Sequence, residues 1–380
     1  MRFVHISDTH LGYHQYGLKE RAEDFFDVFL EAVEFAISKK VDFVLHTGDF
    51  FHSSRPSNHI ILQGMEIVEK LKNANIPLFV ISGNHDRGSH IRDVSPLRVL
   101  QPVGLKLIDK GVVEHEGVFI GGLKYISKAG LRRISLREIL EQYLEKMKNG
   151  FKILMLHQEF QPFFPDSALY SDREIPEGFD YVGIGHYHIA QVPFSVNGST
   201  VVYPGSTEFT AYNEKEEEKG KGFYFVNVDK GDIRAEFIKL SRVRPFIYVD
   251  FNEEDIDGTL KEIKESLDKI EKDKKPVLVL RGKIRNLSIA DVYKIIESEG
   301  IDREKILHVQ LNLTKEIKDI TDSIRVVSIS DEYIKEEIKK LIDDPQLSSH
   351  LIEIIQHLKS IDNIDEVKKI LKENPEILEM

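Results

Sequence analysis

Short apolar runs and amphipathic stretches alternate over the first 190 or so residues of the chain. Runs rich in β-branched and aromatic residues predict five strands, at residues 3–6, 43–46, 78–81, 153–156 and 181–184. Apolar residues at three- and four-residue spacing predict helices at residues 21–39, 60–73 and 136–148. Strands that alternate with helices indicate an α/β fold with a largely buried sheet, a sheet core covered by helices.

The pattern changes after residue 192. Short strands are predicted at residues 200–203, 223–227 and 235–239, and the charged run 214–221 is predicted to be a solvated loop. A boundary at 240–245 precedes three strands (246–251, 276–282 and 306–313) and two helices (260–270 and 289–297), which indicate a small α+β domain. Three short helices are predicted over 331–380. The predicted domains are therefore 1–240, 245–314 as a cap, and 331–380 as a helical segment.

The amino-acid composition excludes several kinds of site and partner. The chain has no cysteine, which excludes disulfides, a thiolate zinc site and a cysteine nucleophile, and fits a reducing compartment. The net charge of −12 lacks the basic excess of most non-specific nucleic-acid binders. The acidic residues 331–380 are predicted to dock another protein rather than DNA. The opening MRFVHISDTH has no signal-like apolar run and no segment reads as membrane-spanning, so a cytoplasmic protein with no membrane association is expected.

Histidine placement points to a metal site. Polar loops follow the five predicted strands and contain Asp8 and His10, Asp49 and His52, Asn84 and His85, His157, and His186 and His188. Loops at the carboxyl ends of strands in an α/β sheet converge on one crevice, so these side chains can meet. Imidazole, carboxylate and amide ligands suit two hard or borderline divalent cations.

Local spacing supports the metal interpretation. Side chains two positions apart in an extended segment point the same way, so Asp8 and His10 can bind one ion, and the same holds for His186 and His188. Glycines at positions 48, 83 and 185 let the backbone approach a metal or substrate closely. A single D-x-H or G-D pair is usually coincidental, but five such motifs in order after five strands are not expected by chance.

Other histidines have a structural interpretation. His5 and His46 lie within predicted strands and are expected to be core residues or to support ligands. Spacing gives no reason to assign a function to His14, His59, His90 and His115, which are expected to be partly exposed loop residues.

Together these motifs resemble those of the calcineurin-like metallophosphoesterases. The third motif, Ser82-Gly83-Asn84-His85-Asp86, lacks the Arg and Glu that are usual in the phosphoprotein phosphatases of that superfamily. With Thr47-Gly48-Asp49-Phe50-Phe51-His52 and Gly185-His186-Tyr187-His188, it is instead similar to the archaeal nuclease subunits of DNA double-strand-break repair complexes. The resemblance is close over the catalytic domain and much less specific after residue 245.

The resemblance implies the roles of individual residues. Two Mn²⁺ ions per subunit are implied, with Asp49 bridging them, and the ligand sets are Asp8, His10, Asp49 and His188 for one ion and Asp49, Asn84, His157 and His186 for the other. His85 and His52 are implied to be catalytic: His85 acts as a general acid or transition-state stabiliser, and His52 supports either the phosphate or His85. Asp86 either orients His85 or caps the next turn.

DNA contacts are predicted around the metal loops. Arg55, Arg87 and Arg92 flank the loops, whereas most of the basic stretch containing Lys124, Lys128, Arg132, Arg133 and Arg137 is expected to be ordinary solvated surface. Tyr187 is the aromatic residue most suited to stack on or wedge a base, whereas packing is favoured for Tyr13 and Tyr16.

The implied activity is that of a manganese-dependent DNA nuclease of double-strand-break repair. Such an enzyme acts as an exonuclease on duplex ends and as an endonuclease on single strands or hairpins. A homodimer is implied, formed by the helices near residues 58–72 and 95–100, as are an SMC-like ATPase partner for the C-terminal helices and a nucleoid-associated location when the protein acts on DNA. The alternatives are a small-molecule phosphodiesterase or nucleotidase, and a DNA-end tethering scaffold.

Overall fold

The computed structural model describes residues 1–87, 94–211, 214–270, 274–298, 301 and 304–315. The predicted helical segment 331–380, His90 and Arg92 lie outside these residues. The fifteen strands, in chain order from β1 to β15, are Arg2–Ile6, Phe43–His46, Leu78–Val80, Lys106–Leu107, Lys110–His115, Val118–Leu123, Phe151–His157, Tyr181–Gly185, Phe194–Val196, Ser199–Val202, Gly222–Asp229, Asp232–Lys239, Phe246–Asn252, Val277–Ile284 and His308–Lys315.

Nine α-helices accompany these strands in the described part of the chain. From α1 to α9 they are Lys19–Lys39, Asn58–Asn73, Leu97–Leu100, Lys128–Leu131, Leu136–Lys146, Ser171–Glu174, Glu214–Lys219, Ile256–Asp268 and Ile289–Ser298. Serine side chains cap the N-termini of two of the longer helices. The Ser57 hydroxyl accepts the Ile60 N–H at 3.4 Å before α2, and the Ser135 hydroxyl accepts the Glu138 N–H at 3.2 Å before α5. None of the described helices is long and apolar enough to cross a membrane.

Two six-stranded sheets form the larger part of the molecule. Their strand orders are β12-β11-β1-β2-β3-β4 and β5-β6-β7-β8-β10-β9. The central strands of each are parallel, and antiparallel partners lie towards the edges. The sequence pattern predicts a buried α/β sheet, and the structure divides that sheet into two.

An apolar layer separates the two sheets. It contains Phe3 and Phe43 from the first sheet, Ile153 and Tyr181 from the second, and further buried residues of both. Helices α1 and α2 cover the outer face of the first sheet, and α5 covers that of the second. Burial on both faces explains why the central strands are continuous apolar runs rather than alternating ones.

A smaller unit follows residue 245. Strands β13, β14 and β15 form a three-stranded, wholly parallel sheet with its own apolar core, which α8 and α9 complete. The order of these elements is the one that the sequence predicts for 245–314, but the parallel strands alternate with helices, so the unit is α/β rather than the predicted α+β. Its division from the rest as a separate cap domain stays a prediction.

Three local predictions are wrong. Residues 214–221 are not a solvated loop, because α7 begins at Glu214 and both Glu216 and Lys221 are buried. His59 and His115 are not loop residues, because they lie on α2 and at the end of β5. The predicted strands also omit β4, β5, β6 and β9, although β6 is fully buried.

Candidate metal centre and active site

The polar loops after β1, β2, β3, β7 and β8 converge where the two sheets meet. Backbone hydrogen bonds join the first two loops, from the Asp8 N–H to the Gly48 carbonyl and from the His10 N–H to the Asp49 carbonyl, both at 3.0 Å. The loop after β8 joins them, since the His186 N–H donates to the Asp8 carboxylate at 3.0 Å. Residues almost 180 positions apart in the sequence therefore share one site.

The seven predicted metal ligands form two adjacent groups. Asp8, His10 and His188 are placed so that one ion could contact all three, and so are Asp49, His157 and His186. Asn84 joins the second group, because its Oδ1 lies 3.1 Å from Nε2 of His157. These groups correspond to the two ligand sets that the sequence resemblance implies.

Asp49 lies between the two groups. Its Oδ2 is 3.9 Å from Nε2 of His10 in the first group and 3.4 Å from Nε2 of His157 in the second. Its Oδ1 accepts the backbone N–H of His85 at 2.8 Å, which fixes the carboxylate plane. A single carboxylate in this position can bridge two cations.

The imidazole orientations fit metal binding. Nδ1–H of His157 donates to the Thr47 carbonyl at 2.8 Å, so Nε2 is the nitrogen that faces the site and would bind a cation in place of its proton. Nδ1 of His188 contacts the Thr210 hydroxyl at 2.7 Å, and Nε2 of His188 faces Nε2 of His10 at 3.1 Å. Nitrogens that converge in this way are suited to share a cation.

Burial sets the charge state of the site. It lowers the pKa of His188 to about 3 and that of His186 to about 4, so both rings are neutral and able to ligate. Burial alone would lower the pKa of His157 too, but the Asp49 and Asp8 carboxylates raise it to about 9. Burial would raise the pKa of Asp49, yet His157 and His10 hold it below its usual range. The Asp49 carboxylate is thus stabilised by positive charge, whereas burial raises the pKa of Asp8 to about 7. A divalent cation would stabilise the charged form of both carboxylates.

The backbone is strained where these side chains are held. Asp8, His10, Asp49 and His186 all have positive φ angles, of 52°, 43°, 53° and 81°. Such conformations cost about 1–3 kcal/mol each and persist where the surroundings impose them, typically at functional sites. Gly83 meets a different demand, since a Cβ there would lie 2.1 Å from Oδ1 of Asp49.

His85 and His52 lie beside the first group of ligands. Nδ1 of His85 donates to the backbone carbonyl of His52 at 2.7 Å, and its ring centroid is 4.9 Å from that of His10. The ring of His52 stacks on Tyr13 at 3.8 Å. The His52 carbonyl therefore fixes the orientation of the His85 ring.

Asp86 has neither of the two alternative roles predicted from the sequence. Its buried carboxylate accepts the backbone N–H groups of Phe50, Phe51 and Gly83 at 2.8–3.1 Å. These bonds tie the loop after β2 to the loop after β3, so Asp86 acts on the loops that hold Asp49 and His85 rather than on the His85 ring.

The remaining predicted residues surround this centre. His5 and His46 are buried, and each bonds a threonine of the metal loops: His5 to Thr47 at 2.9 Å and His46 to Thr9 at 3.0 Å. Both have the supporting position expected of them. Arg55 and Arg87 are exposed, and the Arg87 guanidinium lies over the ring of Tyr125 at 5.3 Å.

The Tyr187 side chain packs against other aromatic rings and does not project freely as a wedge would. Its ring is half-buried and stacks on Phe163 at 4.9 Å, with Phe164 and Tyr203 edge-on to it. Tyr16, for which packing is favoured from the sequence, stacks on His308 of β15 at 4.3 Å.

Three supporting residues escape the sequence prediction. Glu159 lies 3.5 Å from Nε2 of His186, Thr210 contacts His188, and the buried Lys221 donates to the His188 carbonyl at 3.2 Å. Glu159 follows His157 by two positions, so the spacing argument used for Asp8 and His10 could have found it. Thr210 and Lys221 carry no comparable signal.

Comparisons with known proteins agree with this geometry. A family model described as calcineurin-like phosphoesterase matches residues 1–190. The DNA double-strand break repair protein Mre11 of Methanococcus maripaludis is 37% identical, over 62% of this chain and 64% of its own length. The proteins of that name from Thermoplasma acidophilum and Sulfolobus acidocaldarius are 31% and 30% identical, over 96% and 98% of this chain and 96% and 94% of their own. The chain therefore spans just under two thirds of the first relative and nearly all of the other two.

Proposed function

The chain belongs to the calcineurin-like phosphoesterases and, within them, to the family of DNA double-strand break repair protein Mre11, and we propose that it is a manganese-dependent nuclease. The proposed enzyme acts as an exonuclease on duplex ends and as an endonuclease on single strands and hairpins. The observation that carries the proposal is the paired ligand geometry around Asp49, which family membership alone would not guarantee.

The proposed ligands divide between two ions. Asp8, His10, Asp49 and His188 would hold one, and Asp49, Asn84, His157 and His186 the other. When bound, two such ions lower the pKa of water and neutralise charge on a phosphodiester. Imidazole, carboxylate and amide oxygen donors are compatible with Mn²⁺, and the described chain offers no thiolate that would favour a structural zinc.

The protein's own residues then position the phosphodiester and the leaving group. His85 is fixed at Nδ1 by the His52 carbonyl, which leaves Nε2 as the nitrogen able to donate a proton to the leaving oxygen. The backbone N–H of His85 also donates to Asp49, so the position of the His85 ring is fixed relative to the carboxylate that is proposed to bridge the two ions. His52 supports this arrangement through its backbone.

Substrate contacts are proposed at the rim. Arg55 and Arg87 would contact phosphates on either side of the metal loops, and binding through such contacts weakens steeply with salt. Tyr187, held by Phe163, would present a fixed aromatic surface rather than a mobile wedge to a base near the scissile phosphate.

The proposed function also includes a homodimer and a partner protein. A homodimer would form through α2 and α3, which pack against each other and expose Leu62 and Val99 (63% and 48% exposed). An SMC-like ATPase would bind residues 331–380, and the protein would act in the cytoplasm on the nucleoid.

The first test compares cleavage of end-labelled linear duplex, circular single-stranded DNA and bis(p-nitrophenyl) phosphate in the presence of Mn²⁺. The proposed nuclease cuts both DNAs with Mn²⁺, and Asp49→Ala, which removes the bridging carboxylate, abolishes cutting. Asp232→Ala is the matched control, because Asp232 is exposed at the turn between β11 and β12, beside the start of β1 rather than the loop that follows it, and should leave all rates unchanged.

Two other outcomes would contradict the proposal. Cleavage of the small diester alone would indicate a small-molecule phosphodiesterase or nucleotidase. Binding of DNA ends without cleavage, unaffected by Asp49→Ala, would indicate a tethering scaffold.

A further inference from the structure

A cluster of buried charged residues lies on the far side of His188 from the proposed metals. Arg21 and Asp24 on α1, Glu208 and Arg244 form this junction cluster, and each is at most 6% exposed. Arg21 donates to Asp24 at 2.7 Å and lies 3.4 Å from Glu208, while the Arg244 N–H donates to Glu208 at 3.1 Å. The two guanidinium groups and two carboxylates balance in charge, which buried ions require.

The junction cluster joins the two-sheet part of the molecule to the smaller unit. Arg244 stands two residues before β13 and donates to both carboxylate oxygens of Asp24, to Oδ1 at 2.9 Å. Lys274, three residues before β14, also donates to Asp24 at 2.9 Å. The Arg21 guanidinium lies 5.2 Å from the ring of Phe246, the first residue of β13. Asp24 is thus the carboxylate to which the smaller unit is attached.

The same cluster reaches His188 through two neutral residues. Nε of Arg21 donates to the Gln15 side-chain oxygen at 2.9 Å, and the Gln15 amide donates to the Thr210 carbonyl at 3.0 Å. The Thr210 hydroxyl contacts Nδ1 of His188 at 2.7 Å. A second route runs along the backbone, because Arg21 also donates to the Phe209 carbonyl at 3.0 Å, next to Thr210.

We propose that Asp24 and the other residues of the junction cluster position His188 through Gln15 and Thr210. The position of the smaller unit relative to α1 then sets the affinity of the metal site that contains His188. The inference rests on the proposed function, since it takes His188 as a ligand. A group that orients a histidine ligand through its second nitrogen typically changes metal affinity by about tenfold to a hundredfold.

The coupling acts on one of the two sites. His157 is oriented by the Thr47 carbonyl and His186 lies against Glu159, and neither contact involves Gln15 or Thr210. Loosening the junction should therefore weaken one ion and leave the other in place. Since coupling between two equilibria is reciprocal, Mn²⁺ should in turn strengthen the junction.

The experiment measures Mn²⁺ binding to the full chain by titration calorimetry, with electron paramagnetic resonance to separate paired from single ions. Wild type is expected to bind two coupled ions. Asp24→Asn, Gln15→Leu and Thr210→Val should each keep one ion at wild-type affinity, bind the second at least tenfold more weakly, and show the spectrum of an isolated ion at low Mn²⁺. Gln15→Leu and Thr210→Val leave every ion pair of the junction intact, so they carry the test if Asp24→Asn does not fold.

Two controls separate positioning from general loosening. Thr210→Ser keeps the hydroxyl and should bind both ions normally. Glu34→Gln breaks an exposed ion pair between α1 and Arg242 at the same junction (2.6 Å) without touching Gln15 or Thr210, and should also behave as wild type. Hydrogen exchange of the β13 amides should slow when Mn²⁺ is added to wild type, and should not respond in Thr210→Val.

Several results would overturn the inference. Normal affinity at both sites in Asp24→Asn and Thr210→Val would do so, as would equal weakening of both sites. In a His188→Ala background, Asp24→Asn should add no further loss of metal, so additive losses would also contradict it. A wild-type protein that binds no Mn²⁺ would instead refute the proposed function on which the inference rests.

Discussion

His85 lies close enough to His10 and His52 for one ion to contact all three, but its hydrogen bonds favour a role towards the substrate. Its backbone N–H and its Nδ1 are both engaged, by Asp49 and by the His52 carbonyl, so Nε2 is the nitrogen left for the substrate. His85→Gln should therefore lower the rate of phosphodiester cleavage by about 10²–10⁴-fold, the usual contribution of a general acid. Both Mn²⁺ ions should remain bound, as measured by calorimetry on the same sample.

The His85 prediction has two ways to fail. A near-normal rate would remove this residue from the mechanism, and loss of an ion would make it a ligand instead. His115→Gln introduces the same chemical change at the end of the second sheet opposite the metal loops, and should alter neither cleavage nor binding.

Residue types at strand ends explain why the grouping of these polar side chains could be predicted from the sequence. Asp8 and Asp49 follow apolar strands and His157 ends one, and the structure brings them together because parallel strands end at one edge. Thr210 could not be predicted in this way. A threonine in a loop is common, and its contact with His188 depends on a backbone path that no local pattern encodes.

At the scale of elements, α7 gives the sharpest departure from the sequence pattern. The run 214–221 is highly charged, yet the Lys221 ammonium pairs with the Glu216 carboxylate in the interior, where their side chains are 1% and 5% exposed. Removing one partner of a buried pair leaves an uncompensated charge. Glu216→Ala should therefore lower the free energy of unfolding by about 3 kcal/mol.

Chemical denaturation measures this effect, and α7 supplies its control. Glu218 is exposed on the same helix, so Glu218→Ala should change stability by no more than about 0.5 kcal/mol. Equal effects of the two variants would mean that α7 is the solvated segment that its composition suggests.

Strand prediction succeeds and fails for identifiable physical reasons. The continuous apolar run at β2 marks residues 43–46, and the structure has the same bounds. β6 is missed because Gly121 and Gly122 interrupt its apolar run. Those glycines are required by packing: a Cβ at Gly122 would lie 2.1 Å from the Ile108 carbonyl, and one at Gly121 would lie 2.9 Å from Met147. Residues that are distant in the sequence pack so closely against β6 that glycine is required there, and the two glycines hide the apolar pattern that would predict a strand.

The described part of the molecule joins three sheets, and the sequence pattern does not show which strands pair. Periodicity reports that a strand is buried, whereas β1 has β11 and β2 as its neighbours, strands that lie far apart in the chain. The candidate metal centre lies where the loops of two sheets meet, and the junction cluster attaches the third. The candidate metal centre and the attachment of the smaller unit therefore both depend on contacts between residues that lie far apart in the sequence.

Assembly is the remaining level at which the structure makes a test possible. Leu62 lies on the face of α2 away from the core residues Ile60, Ile67 and Leu71 and is 63% exposed, so its substitution should not disturb folding. In a twofold dimer each substitution occurs twice across the interface. Leu62→Asp should therefore convert the proposed dimer to a monomer, as measured by light scattering after gel filtration. Val192→Asp is the matched control, because Val192 is 70% exposed and lies outside α2 and α3. A dimer that survives Leu62→Asp, or one that Val192→Asp also dissociates, would place the interface elsewhere.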